Sequence, residues 1–224
     1  MRSRGVTFVP LEVTTDDASL IDGVYDYAVT DRYIYVLPVK EPRIVLFDRQ
    51  GRFIRTLVKE GQGPGEFRGI LPCIQVDERN DRLFLFSNNR VWEYTLEGEF
   101  IGQSTHEYSV IYMRHIGKDR FAAISFPFQP FNGGGFGLGL FSRKGDTIAI
   151  KNDFYSFLLP HEKSGFTTSI APAYSDAQNS VLFKTGSNDT VFCISADRIS
   201  AACVLDLKNS DAEVIRSLDV TDMS

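Results

Sequence analysis

The chain is poor in the residues that most often announce a chemistry. Among 224 residues there are one Trp, three Cys and three His. Cys73, Cys193 and Cys203 sit in apolar runs at spacings that match no metal motif, and an odd number leaves room for at most one internal disulfide. They read as buried thiols packing as small hydrophobes. His106, His115 and His161 share no ligand spacing. No Gly-x-Ser-x-Gly elbow is present to raise a nucleophile. No apolar run approaches the roughly 18–20 residues of a membrane span. Positive charge is not in excess either. The formal charge is −5, the charges are interspersed, and no basic field is available to neutralise phosphates. Nucleic acid and anionic membrane surfaces are therefore excluded as general partners. The start, Met1-Arg2-Ser3-Arg4-Gly5, carries two positive charges. The apolar run after it is too short, and too soon followed by Glu12 and Asp16, for a signal peptide, so no leader is expected in this sequence.

What is present is strand. The stretch Asp31–Leu57 (DRYIYVLPVKEPRIVLFDRQGRFIRTL) holds three short runs rich in Tyr, Ile, Val and Phe, separated by charged or Pro-containing turns. Such runs read as consecutive antiparallel strands. Tyr33, Tyr35 and Leu37 alternate with Ile34 and Val36, and both sets are apolar, so both faces of the sheet are expected to be buried. The unit recurs. Asp-Arg before an apolar run returns at Asp81-Arg82 and Asp119-Arg120, and Gly51, Gly98 and Gly145 are 47 residues apart. A repeat of that length built only from strands predicts an all-β fold, a β-propeller of four-stranded antiparallel blades. A four-stranded sheet with two apolar faces buries them only when copies stack on either side.

The expected organisation is a single propeller domain over 1–224. It has an N-terminal strand over 6–13, blades over about 24–58, 72–104, 109–151 and 166–207, and a short C-terminal helix over about 211–219. That helix is signalled by the capping box Ser210-Asp211-Ala212-Glu213. In closed propellers an N-terminal strand commonly completes the last blade, and Thr7–Val13 suits that role. Yet the fourth blade already has four strands, so the chain reads as about two-thirds of a larger ring. A four-bladed closure, or two chains completing each other, are the alternatives. Open blade edges would favour self-association.

Two loops stand out. Gly61-Gln62-Gly63-Pro64-Gly65-Glu66-Phe67 could cradle an anion with backbone N–H groups. It lacks the Lys-Ser/Thr of a P-loop. The plainer reading is a tight crossover between blades, with Phe67 plugging their interface and Arg68 at the channel mouth. The second, Phe126–Gly135 (FPFQPFNGGG), is apolar with a glycine hinge. It reads either as a flap or partner contact through Phe128 and Phe131, or as a long hairpin tucked onto the third blade.

Of the polar residues on expected inner strands, Tyr112, Arg114 and His115 are the best cluster, with Tyr174 in the equivalent strand of the fourth blade. His115 and Asp77 are weak candidates for a metal. Asp26 and Asp176 also fall near inner strands, where carboxylates either bind calcium or cap hairpins.

The loop GQGPGEF, the preceding FDRQGRFIRTL and the opening VPLEVTTDDASLIDGVYDYAVTDRYIYVL resemble the NHL-like six-bladed β-propeller proteins. The likeness is greatest to a family found among envelope-associated proteins of Gram-negative anaerobes, and it covers about residues 6–210. It implies six blades, a periplasmic or cell-envelope location with an export or lipoprotein leader, and no settled reaction. The expectation is a non-enzymatic scaffold that binds a small ligand or a protein, with no cofactor. The rival is a metal-assisted lyase or lactonase-like hydrolase using Ca²⁺ or Zn²⁺ in the central channel.

Overall fold

The computed structural model describes residues 8–15, 18–68, 73–108, 110, 112–124, 137–151, 170–175, 179–185 and 190–205. These form sixteen strands in four antiparallel four-stranded sheets, each made of strands consecutive in the chain. The first holds β1 (Val24–Val29), β2 (Tyr33–Pro38), β3 (Arg43–Asp48) and β4 (Phe53–Lys59). The second holds β5 (Cys73–Asp77), β6 (Arg82–Ser87), β7 (Arg90–Tyr94) and β8 (Phe100–Thr105). The third holds β9 (Tyr112–His115), β10 (Arg120–Ile124), β11 (Leu138–Ser142) and β12 (Thr147–Lys151). The fourth holds β13 (Ile170–Ser175), β14 (Ser180–Thr185), β15 (Thr190–Ile194) and β16 (Ile199–Val204). This is the all-β, blade-by-blade architecture of a propeller. The expected helix over 211–219 lies outside the described residues.

The chain divides into two compact units, Met1–Ser104 and Thr105–Ser224. In the first, alternation sorts each strand to two faces. Tyr35, Leu37, Ile44 and Leu46 turn one way and form a continuous core with Leu83, Leu85, Trp92 and Tyr94 of the second sheet. Phe67, fully buried, closes this core, its ring 6.4 Å from that of Trp92 and roughly perpendicular to it. On the opposite face of the first sheet, Val36, Val45 and Phe47 form a second cluster, with Leu11 and Ile21 packed against it. In the second unit, Ala122, Ile124, Leu138 and Leu140 pack on Val181, Phe183, Phe192 and Ile194. Burying a large aliphatic or aromatic side chain contributes about 1.5–3 kcal/mol, so these interfaces carry most of the fold's stability.

The 47-residue glycine period is a repeated turn. Gly51 donates its N–H to Asp48 O, Gly98 to Thr95 O and Gly145 to Ser142 O, each at 3.0 Å. All three glycines have positive φ, 84°, 86° and 101°, the left-handed residue that follows a type I turn in a bulged hairpin. The residue opening each turn caps it from its side chain. Asp48 Oδ1 accepts from the N–H of Gln50 and Arg52, Thr95 Oγ1 from Glu99, and Ser142 Oγ from Lys144 and Asp146. In the fourth sheet the turn has no glycine, and Ser195 N–H simply donates to Arg198 O at 2.9 Å.

One expectation is corrected. Over 8–13 the N-terminal segment forms no strand and pairs with none. It lies instead across the β3–β4 turn, with Glu12 N–H donating to Gly51 O at 2.8 Å and Phe53 N–H to the Glu12 carboxylate at 2.8 Å.

Candidate functional site

Antiparallel order puts alternate connections at the same end of each sheet. At one end lie the short turns 30–32, 49–52, 78–81 and 95–99 in the first unit, and 116–119, 143–146, 176–179 and 195–198 in the second. The other end carries the long connections, 60–72 in the first unit and 125–137 and 152–169 in the second. Long connections on a rigid sheet are where recognition residues collect. The loop-bearing end of each unit is therefore the candidate functional face.

In the first unit that end is dominated by the loop after β4, and the loop satisfies itself. The Glu66 carboxylate turns back into it, accepting the Gly63 N–H at 2.7 Å, with Lys59 Nζ 3.9 Å away. A Cβ on Gly61 would meet that carboxylate, which would have to turn aside. Arg68 folds over the same loop, donating from Nε to Gly61 O and from Nη2 to Gln62 O. The anion cradle read from the glycines is thus filled by the protein's own carboxylate, and the crossover reading with Phe67 as plug describes the loop.

Beside it, the inner strands β1 and β5 bring together Tyr25, Asp26 and Cys73. The Asp26 carboxylate accepts the Ile74 N–H at 2.7 Å, linking the two inner strands. Burial, then the nearby Asp26, pushes the Cys73 thiol up to about 11, so it stays protonated and is a poor nucleophile. Burial, then Cys73 and Asp26, raises the Tyr25 phenol as well. The trio offers a phenol, a thiol and a carboxylate edge as hydrogen-bonding groups. Sequence reasoning missed Tyr25 and Cys73 because each sits in an apolar run with no motif. Only the β1–β5 juxtaposition reveals them.

The residues singled out on β9 do not converge. Tyr112 and Arg114 share one face of the strand, Tyr112 packing against the core between the third and fourth sheets. His115 turns to the other face, its ring 5.4 Å from that of Phe121, beside the short turn rather than the loop end. Asp77 is likewise at the turn end, where it caps the 3₁₀ turn Glu78–Asn80 by accepting the Asn80 backbone N–H at 3.3 Å, and it also accepts Asn80 Nδ2 at 2.7 Å. Tyr174 is on β13, paired across to Val181, one residue from the end of the strand. Phe128, Phe131 and Asp176 lie outside the described residues. Among the described residues no group of three or more His, Cys, Asp or Glu is arranged to hold a metal ion, and no helix is long and apolar enough to cross a membrane.

A family described as "Domain of unknown function (DUF4934)" matches residues 4–222. The chain belongs to this family. No curated protein matches it. Among solved structures it is similar to a protein from Bacteroides fragilis inferred to be exported (TM-score 0.67, 19% identity, 88% of this chain and 54% of that one). It is also similar to a DUF4221-family protein from Bacteroides vulgatus (TM-score 0.58, 10% identity, 89% and 62%). Streptogramin B lyase is a third (TM-score 0.50, 14% identity, 86% and 57%). At these identities the likeness establishes the propeller-like fold and nothing finer. The chain spans 54% to 62% of the length of these proteins.

Proposed function

We propose that this DUF4934 protein is a non-enzymatic binding scaffold of the NHL-like, six-bladed type, taking a small ligand or a protein on its loop-bearing face. The observation that carries this reading is the asymmetry of the sheets. Every connection at one end is a turn of three to five residues, whereas the other end carries, beside connections of two to six residues, three of 13 to 18. A fold that spends length at one end only is building a recognition surface there. Arg68 and Tyr112, with Arg114 behind Tyr112 on the same strand face, begin at that end, and Phe128 and Phe131 fall within the 125–137 connection. His115 and Tyr174 belong to the proposed contact set only if the ligand reaches deep between the sheets. The carboxylates a lyase would use are engaged elsewhere: Asp26 on Ile74, Asp77 on Asn80 and Glu66 on Gly63. A periplasmic or envelope location is part of the proposal, supported by the family resemblance and by the Bacteroides fragilis neighbour inferred to be exported.

The competing reading, a metal-assisted lyase or lactonase-like hydrolase, draws on the fold shared with streptogramin B lyase. Elemental analysis of the purified protein separates the two. The scaffold reading expects no stoichiometric Ca²⁺ or Zn²⁺ and a melt unchanged by chelator. A tightly held metal lost on His115→Ala or Asp77→Ala would overturn it.

A further inference from the structure

The core between the first and second sheets contains two fully buried phenols, Tyr35 on β2 and Tyr94 at the end of β7. Neither hydroxyl has a hydrogen-bond partner among the described residues. A hydroxyl taken out of water without a new partner is costly, and most such groups are satisfied by protein or by an internal water. What lies beside each phenol differs. Burial, then Glu78, raises the Tyr35 phenol. The two oxygens of Glu78 already accept from Asp31 N–H and Arg32 Nε, in the short turns.

Tyr94 lies under the 60–72 connection. Phe67 shares its core cluster, and a Cβ on Gly65 would come within 2.9 Å of Phe100 Cβ, so the loop backbone is seated directly on that side chain. The Phe100 ring is 5.7 Å from that of Tyr94. Burial, then the Glu66 carboxylate, raises the Tyr94 phenol, which therefore keeps its proton and remains a donor. Glu66 has accepting capacity left. Its Oε2 takes the Gly63 N–H at 2.7 Å, whereas Oε1 has Lys59 Nζ at 3.9 Å, beyond hydrogen-bond distance. A buried donor and an acceptor oxygen thus stand near each other without meeting.

We propose that one water molecule is bound between Tyr94 Oη and Glu66 Oε1. The phenol donates to the water oxygen and the water donates to the carboxylate, which gives it the two polar partners a buried site needs. The consequence is an anchor. Glu66 holds the Gly61–Phe67 loop from inside through the Gly63 N–H, and the water fastens the same carboxylate to the second sheet. The loop is thereby fixed at its base, whatever the loop-bearing end binds.

The test is water–protein cross-relaxation by NMR on the 224-residue protein, with Tyr94→Phe, which removes only the hydroxyl, and Tyr35→Phe as its matched control. The unsubstituted protein should show a long-lived water in contact with the Tyr94 side chain, with no such contact in Tyr94→Phe. Amide exchange at Gly63 should rise about fivefold in Tyr94→Phe, the effect of one net hydrogen bond, and stay unchanged in Tyr35→Phe. Absence of a long-lived water at Tyr94 would overturn the proposal. So would a slowly exchanging phenol proton with no water contact, which would mean direct donation to Glu66. Equal Gly63 exchange in all three proteins, or a rise of the same size in Tyr35→Phe, would overturn it as well, the latter because the core would then be loosening generally. None of these outcomes bears on metal content or ligand binding, so the proposed function stands or falls separately.

Discussion

The two units meet the same packing demand with different side chains. Between the first and second sheets the core is aromatic, with Tyr35, Phe67, Trp92 and Tyr94 all buried, and its closing residue comes from a loop. Between the third and fourth it is largely aliphatic, with Ala122, Ile124, Leu138, Leu140 and Ile194 and two phenylalanines from the fourth sheet. The strand pattern recurs in both units, yet the residues filling the cores change, and on the other face of the third sheet an imidazole, His106, packs on Phe121 and Phe141. What repeats is geometry, set by strand alternation and the glycine turn. The volume at each station is free to drift as long as the neighbouring sheet drifts with it.

The sharpest way to break this comparison is to remove volume from the aromatic core. Trp92→Ala should cost about 3–5 kcal/mol, read as a lowered urea midpoint, whereas Ile124→Val in the aliphatic core should cost about 0.5–1.5 kcal/mol. Equal effects would mean that the cores are not organised differently.

Next in size is the turn. Gly51→Ala forces a left-handed Cβ, costing about 1–2 kcal/mol, and adds a collision with Pro10 O. Ala196→Gly, in the fourth sheet's turn that lacks the glycine, should be nearly neutral in the same denaturation assay.

The third prediction uses His106. Burial lowers its pKa to about 4 from the ordinary 6.5, so the unfolded chain takes up a proton first as pH falls. The stability its neutral form confers is complete above pH 6.5 and is lost between pH 6.5 and about 4, with no further loss from this group below that. His106→Leu should flatten the urea midpoint across that window. An unchanged slope would show that the imidazole is not held neutral.

The smallest effect expected is at Asp26. Asp26→Ala leaves the Ile74 N–H without its acceptor, for about 1 kcal/mol, and should speed exchange of that amide without moving the second unit.

Much of this was legible beforehand. The two-sided alternation of Tyr33–Leu37 and the even glycine spacing gave the sheets and their turns, because both are local consequences of chain geometry. The cap shared by Asp48, Thr95 and Ser142 was hidden, since three different side chains accept the same turn amides. His115 and Asp77 were placed on the right strands but given a shared purpose. Strand direction sends them to the turn end, where one packs on Phe121 and the other caps a 3₁₀ turn. The Gly61–Phe67 loop admitted two readings until the Glu66 carboxylate was seen inside it.

The amino-acid order by itself determined the strand pattern, the repeat and the places where only glycine fits, because each depends on a few adjacent residues. Tertiary structure alone decided which carboxylates are already occupied and that residues 8–13 lie across the β3–β4 turn instead of forming a strand. Those outcomes depend on groups far apart in the chain that meet only when one sheet lies against the next.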